Sequence, residues 1–152
     1  MWSSDEAAQE LLAVLPFLNR LVVVELRREA GEETTMPQFR VLAYLAPGPL
    51  TLSALARKRR VSLQAAGELV QTLIERGWVA RTPDPADRRQ ALLQLTDQGR
   101  QHYEQAHFGM MQRLVPLLDT LSQDEMKAIQ LALPALRRVL TATEEQYPDG
   151  NP

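Results

Sequence analysis

The chain has 152 residues, 45% of them hydrophobic, which is enough to bury the core of one domain with arms and too apolar for a disordered tail. It contains no cysteine, which excludes disulfides, thiolate metal sites, a thiol nucleophile and a cysteine redox sensor, and fits a reducing cytosol. The net charge of −2 hides a division along the chain: residues 50–90 hold eight basic side chains against four acidic ones, a local surplus of +4 between acidic ends.

The N-terminal stretch lacks the basic head and small-residue cleavage site of a signal peptide. Charges interrupt its apolar run, so no segment is expected to reach the ~20 apolar residues of a membrane span, and the protein reads as soluble and cytoplasmic. From Asp5 to Ala30 the residues Leu11, Leu15, Leu18, Val22 and Leu26 recur at helical spacing, predicting one long helix with a kink at Pro16. Apolar residues all round Leu21–Val24 predict burial against more than one neighbour. "GEETTM" (31–36) then breaks the pattern.

A short helix fits Pro37–Ala46, with Phe39, Leu42 and Leu45 inward and "PGP" (47–49) as its stop. Thr51 can cap a third helix over Leu52–Lys58. Ser62 can cap a fourth over Leu63–Arg76, whose inner stripe is Ala66, Leu69, Val70, Leu73 and Ile74 and whose end is closed by Gly77. The period then changes to alternation: "WVAR" (78–81) and "ALLQL" (91–95) read as two strands joined by the turn-rich "TPDPADRRQ". An isolated hairpin is marginal in water, so it must lean on the helices before it.

Thr96 and Asp97 are cap candidates for a helix to about Leu118, with Tyr103, Met110, Leu114 and Leu117 on one side. Ser122 and Glu125 form a capping-box signature for a last helix. There Met126, Ile129, Leu133, Leu136 and Leu140 step by three and four residues, as in a coiled-coil seam or an ordinary amphipathic helix packed within its own chain. Pro116 and Pro134 imply kinks.

Helix, helix, tight turn, helix, hairpin is the order of a winged helix-turn-helix, so the fold expected is mainly α with a small β-hairpin wing. In such a unit the outer face of the last helix enters a DNA major groove and the hairpin reaches the adjacent minor groove. Here that face is Gln64, Ala65, Gly67, Glu68, Gln71 and Thr72.

The segments "TMPQFRVLAYL", "LTLSALARKRRVS" and "LVQTLIERGWVARTPDPADRRQALLQLTDQG" resemble successive pieces of the MarR (multiple antibiotic resistance regulator) family of bacterial transcription factors. The last is the most specific: Glu-Arg-Gly ending a helix, an apolar-Val-x-Arg strand, Asp-Pro-x-Asp-Arg-Arg at the tip, and Leu-Thr-x-x-Gly opening the next helix. The resemblance covers residues 35–100 by motif and the rest by helix layout. It implies a single domain over 1–152 in which 35–96 is the winged DNA-binding part and 5–30 and 97–145 are dimerisation helices.

The resemblance also assigns roles. Arg89 of the wing would enter the minor groove with Asp87 holding it in place, and a narrow minor groove favours an inserted arginine by its potential alone. Arg88 would meet a phosphate. Arg57, Lys58, Arg59 and Arg60, before the recognition helix, would fix register through phosphates, and Ser62 can both cap that helix and donate to a phosphate. Many relatives carry a basic residue where this chain has Glu68; the carboxylate either repels phosphate or accepts from a cytosine N4 amino group. Gly67 reads equally as close approach to DNA or close packing between helices.

As partners the resemblance implies double-stranded DNA, a second copy of the chain, and a small aromatic or phenolic effector bound between arms and winged unit. Effector candidates are Arg20, Tyr44, His102, Tyr103 and His107. No cofactor is implied, and His102 and His107, five apart, do not share the helical face a zinc site needs. The expected function is a ligand-responsive homodimeric repressor of palindromic operators; the alternative is a winged-helix protein-interaction module with little specific DNA binding. No nucleophile–base–orienter arrangement or glycine-rich phosphate loop supports an enzyme.

Overall fold

The computed structural model describes residues 1–31 and 34–146; Glu32 and Glu33, within the expected break after the first helix, lie outside the described residues. Helix α1 spans Ser4–Ala30 and starts at a reciprocal capping box. The Ser3 hydroxyl accepts from the Glu6 N–H (3.2 Å) while the Glu6 carboxylate accepts from the Ser3 N–H (2.7 Å). That backbone N–H, with the Ser3 hydroxyl, holds the Glu6 carboxyl below its usual range. The helix passes through Pro16 without ending.

Two expectations for α1 need correction. Only its C-terminal part is packed: Leu26 is buried and Leu21, Val22 and Val23 are half-buried, whereas Leu11, Leu15, Leu18 and Val24 are exposed. The helix also contains an 18-residue window of mean hydropathy 1.5, none of it buried, which matches a membrane span in length and composition. Charges do interrupt that run, but between Ala7 and Val24 they are only Glu10 and Arg20.

Helix α2 (Met36–Leu45) begins one residue earlier than expected because Thr35 and Gln38 form a second capping box, with Pro37 in the first turn where its missing N–H costs nothing. It buries Phe39, Val41, Leu42 and Leu45. Thr51 caps α3 (Leu52–Arg59) and Ser62 caps α4 (Leu63–Glu75), each accepting from the N–H three residues on at 3.1 Å. Gly77 follows α4 at φ +76°, a left-handed conformation that favours glycine.

The expected hairpin is present as β2 (Val79–Pro83) and β3 (Ala91–Leu95), but a third strand, β1 (Leu50–Thr51), completes an antiparallel sheet of order β1-β3-β2. Leu50 pairs with Leu93 and Thr51 with Leu92. Two residues are too short for alternation to register in a sequence, and the pairing stems from the fold bringing the α2–α3 connection to the hairpin. β2 stays an edge strand and so tolerates Pro83.

Helix α5 (Asp97–Leu118) is capped by Thr96, which also hydrogen-bonds the Gly77 carbonyl. Helix α6 (Gln123–Gln146) follows the Ser122–Glu125 capping box. Two hydrophobic clusters divide the labour. Val41, Leu42, Leu45, Leu55, Val70, Leu73, Val79 and Leu93 weld α2, α3, α4 and the sheet into the winged unit. Leu26, Phe39, Ala106 and Met110 tie α1 and α5 to α2. Each fully buried leucine or valine contributes roughly 1.5–3 kcal/mol, so the larger cluster carries most of the stability. Helix α6 buries none of its described side chains, and Leu133 and Leu140 of its seam are exposed. It lies across an apolar cleft from the start of α1, lined by Trp2, Leu11, Val14, Ala132, Ala135 and Leu136.

Candidate nucleic-acid interface

The turn between α3 and α4 is built from Arg60, Val61 and Ser62. Arg60 ends α3 in the left-handed conformation (φ 52°), and the N–H groups of Arg60 and Val61 satisfy the last carbonyls of α3, including that of Ala56 at 3.1 Å from Val61. A non-glycine residue there costs roughly 1–2 kcal/mol. Arg57, Lys58 and Arg60 are exposed around this turn, whereas Arg59 is half-buried and burial lowers its pKa. Tyr44 donates to the Lys58 carbonyl (3.3 Å), so this tyrosine braces the basic turn from α2.

Helix α4 turns Ala66, Val70 and Leu73 into the core and leaves Gln64, Ala65, Glu68 and Gln71 exposed, with Thr72 half-buried. Side chains along this face are tied to one another. Gln64 Nε2 donates to Glu68 Oε1 (3.2 Å), Gln71 Nε2 to Glu75 Oε1 (3.2 Å), and the Thr72 hydroxyl to the Glu68 carbonyl (3.2 Å). A Cβ added to Gly67 would touch only Leu52 Cδ2 at 3.8 Å, an ordinary contact. Helix packing therefore does not require glycine there.

The tip between β2 and β3 is ordered by two aspartates. Asp84 Oδ1 accepts from the Ala86 N–H (2.9 Å), and Asp87 Oδ1 accepts from both the backbone N–H (3.0 Å) and Nε (3.3 Å) of Arg89. The Arg89 side chain is 90% exposed against 37% for Asp87, so the carboxylate fixes the base of an arginine that projects from the tip. Arg88 is exposed beside it. Between the wing and the first turns of α3 and α4 runs a groove of about 230 Å3 whose lining includes Ser53, Leu63, Arg81 and Arg89. Arg81 and Ser53 were not expected at the interface; the Val-x-Arg spacing, which puts Arg81 on the strand face of Val79 but nearer the exposed tip, was the signal for Arg81.

The five residues singled out for an effector do not converge. Arg20 is exposed midway along α1, and Tyr44 serves the α3 turn. Tyr103 stacks on Phe39 (centroids 5.5 Å apart) and meets His107 (5.6 Å). His102 stacks on Trp78 (3.9 Å), with its Nε2 3.2 Å from the Thr34 hydroxyl. The Arg76 guanidinium lies 5.1 Å from the Trp78 ring centre and donates to Gln38 Oε1 (3.3 Å). Burial, and then the positive charge of Arg76, push the His102 pKa below 6.5. This Arg76–Trp78–His102 assembly joins the entry to α2 and the end of α4 to α5. No local motif marks it, because Arg76 lies 38 residues beyond Gln38 and His102 lies 68 beyond Thr34.

A tight turn into an exposed recognition helix, followed by a hairpin with an anchored arginine, defines a winged helix-turn-helix. Residues 34–90 match the family model described as MarR family. The multiple antibiotic resistance protein MarR of Salmonella typhimurium is 32% identical over 103 residues, covering 66% of this chain and 72% of that protein. The HTH-type transcriptional regulator YfiV of Bacillus subtilis is 31% identical over 119 residues, 75% of this chain and 72% of its own. A MarR variant of Escherichia coli, crystallised with operator DNA, superposes with a TM-score of 0.64 at 25% identity over 89% of this chain and 99% of that one. The chain belongs to the MarR family of transcriptional regulators.

Proposed function

We propose that the protein is a transcriptional regulator that binds palindromic operator DNA as a homodimer, with residues 35–96 as the DNA-binding part of a single domain and 5–30 and 97–145 as dimerising arms. The observation that carries this reading is the outward Arg89 anchored by Asp87, which lines a groove together with Leu63 at the start of α4. In the proposed complex Gln64, Ala65, Glu68, Gln71 and Thr72 meet base edges, Arg57, Lys58, Arg60 and Ser62 meet phosphates, and Arg59 steadies the turn. Arg89 enters the minor groove, with Arg88 and Arg81 on the flanking phosphates. The homodimer is supported by the exposed apolar residues of α1 and α6, which one chain leaves uncovered, and by the need to set two recognition helices ~34 Å apart. Its location is that of its DNA, the cytoplasm.

Repression relieved by a small aromatic ligand completes the proposal. Among the candidates His102, Tyr103 and His107 are best sited, on α5 near the junction of arms and winged unit. A winged-helix module without specific DNA binding is favoured by one feature, the exposed carboxylate of Glu68 on the recognition face. Fluorescence anisotropy against selected DNA in rising salt separates the two. For ~6–10 phosphate contacts the affinity falls about a thousandfold or more between 50 and 200 mM salt, and Arg89→Ala weakens binding. A flat salt response, or binding seen only at very low salt, would favour the module.

A further inference from the structure

The recognition face of α4 is unusual in the polarity of its hydrogen-bonding groups. An ionised carboxylate only accepts, so the Gln64 amide must turn its nitrogen toward Glu68, and the Gln71 amide its nitrogen toward Glu75. The carbonyl oxygens are then the ends of these amides remote from the carboxylates. The Thr72 hydroxyl hydrogen is committed to the Glu68 carbonyl. Along this face the groups offered to a partner are dominated by acceptors, with the Glu68 carboxylate at the centre, and the described face of α4 from Leu63 to Glu75 carries no lysine or arginine.

In the major groove guanine presents only acceptors, N7 and O6, and thymine presents O4 beside a methyl group; both would face the carboxylate with like polarity or with nothing to donate. Adenine offers its N6 amino group beside the N7 acceptor, an edge suited to a glutamine that gives one bond and takes another. Gln64 gives one amide hydrogen to Glu68 and keeps the other, so an adenine edge suits Gln64, whereas the Glu68 carboxylate has nothing to donate to N7. Cytosine offers its N4 amino group with only a C–H beside it. It is the base an isolated acceptor fits.

We propose that Glu68, held in place by the Gln64 amide, selects a cytosine at one position of each operator half-site by accepting from the N4 amino group. This rests on the DNA-binding reading above and adds the base and the residue that chooses it. The basic turn at Arg57–Arg60 and the wing arginines supply the attraction to the duplex, so the carboxylate is left to discriminate rather than to hold.

The test is selection of bound duplexes from a random pool with the full-length wild-type protein, Glu68→Gln and Glu68→Ala, followed by anisotropy on the selected site and its single-base variants. Glu68 is exposed, so all three fold alike, which circular dichroism checks. The expected wild-type half-site has a fixed cytosine whose replacement weakens binding on the order of tenfold to a hundredfold. Glu68→Gln shifts the preference at that position to adenine, and Glu68→Ala flattens it. Enriched half-sites that are identical for all three proteins would overturn the role of Glu68 while leaving DNA recognition intact. No enrichment by any of them would overturn the DNA-binding reading, and this proposal with it.

Discussion

Gly67 is a residue whose cost the fold does not explain. Glycine inside a helix is ~0.8–1 kcal/mol less favourable than alanine, and the nearest atom to an added Cβ is 3.8 Å away. Gly67→Ala is expected to raise the unfolding free energy by about 0.5–1 kcal/mol in denaturant titrations. If the glycine admits a close backbone approach to DNA, the same substitution weakens operator binding. His102 gives a second expectation, with its sign set by burial. Its folded pKa lies below the ordinary 6.5, so the unfolded chain binds more protons as pH drops through that value. The neutral ring's contribution is complete above pH 6.5 and is lost on acidification toward the folded pKa. His102→Gln, which can still hydrogen-bond Thr34, should therefore lose less stability than the wild type between pH 7.5 and 5.5 in chemical denaturation; equal losses would assign the pH dependence elsewhere.

At the scale of elements, the wing is joined to the arm at one tight contact. Gly99 in the first turn of α5 lies against the backbone of Trp78, where an added Cβ would sit 1.9 Å from the carbonyl oxygen. No rotamer change relieves a clash with backbone, so Gly99→Ala must shift α5 away from β2. Overpacking of this kind costs typically 1–3 kcal/mol, to be read from thermal unfolding at neutral pH. The glycine of the Leu-Thr-x-x-Gly motif is thus explained by packing alone. The other end of the arm is held by charge: the buried Glu25 carboxylate on α1 lies 3.4 Å from Arg28 and 3.6 Å from Arg113 of α5. A buried acid with two basic partners ties α1 to α5 where the smaller core cluster ends.

For the whole molecule, the decisive fact is what one chain leaves uncovered. Leu11, Leu15, Phe17, Leu131, Leu133 and Leu140 are all exposed, on helices that share an apolar cleft of about 510 Å3. If a second copy covers these faces, sedimentation velocity shows a dimer for the wild type. Leu11→Glu combined with Leu136→Glu shifts it to monomer and sharply weakens operator binding, while the winged unit, with its separate core, keeps its helical signal. A wild-type monomer that still binds a palindrome tightly would refute the dimer.

What the sequence determined by itself was local. The caps at Thr51, Ser62, Thr96 and Ser122, the α4 stripe and the wing tip of Asp87 and Arg89 were all legible, because capping, helical periodicity and aspartate turns act over two to four residues. Tertiary structure decided the rest. It added β1 as a partner of β3 some forty residues away, left the first half of α1 unpacked, set Tyr44 under the basic turn and gathered Thr34, Arg76, Trp78 and His102 at one junction. Such contacts depend on how separately formed elements meet in space, and apolar spacing along a helix cannot say whether its partner lies in the same chain or in another.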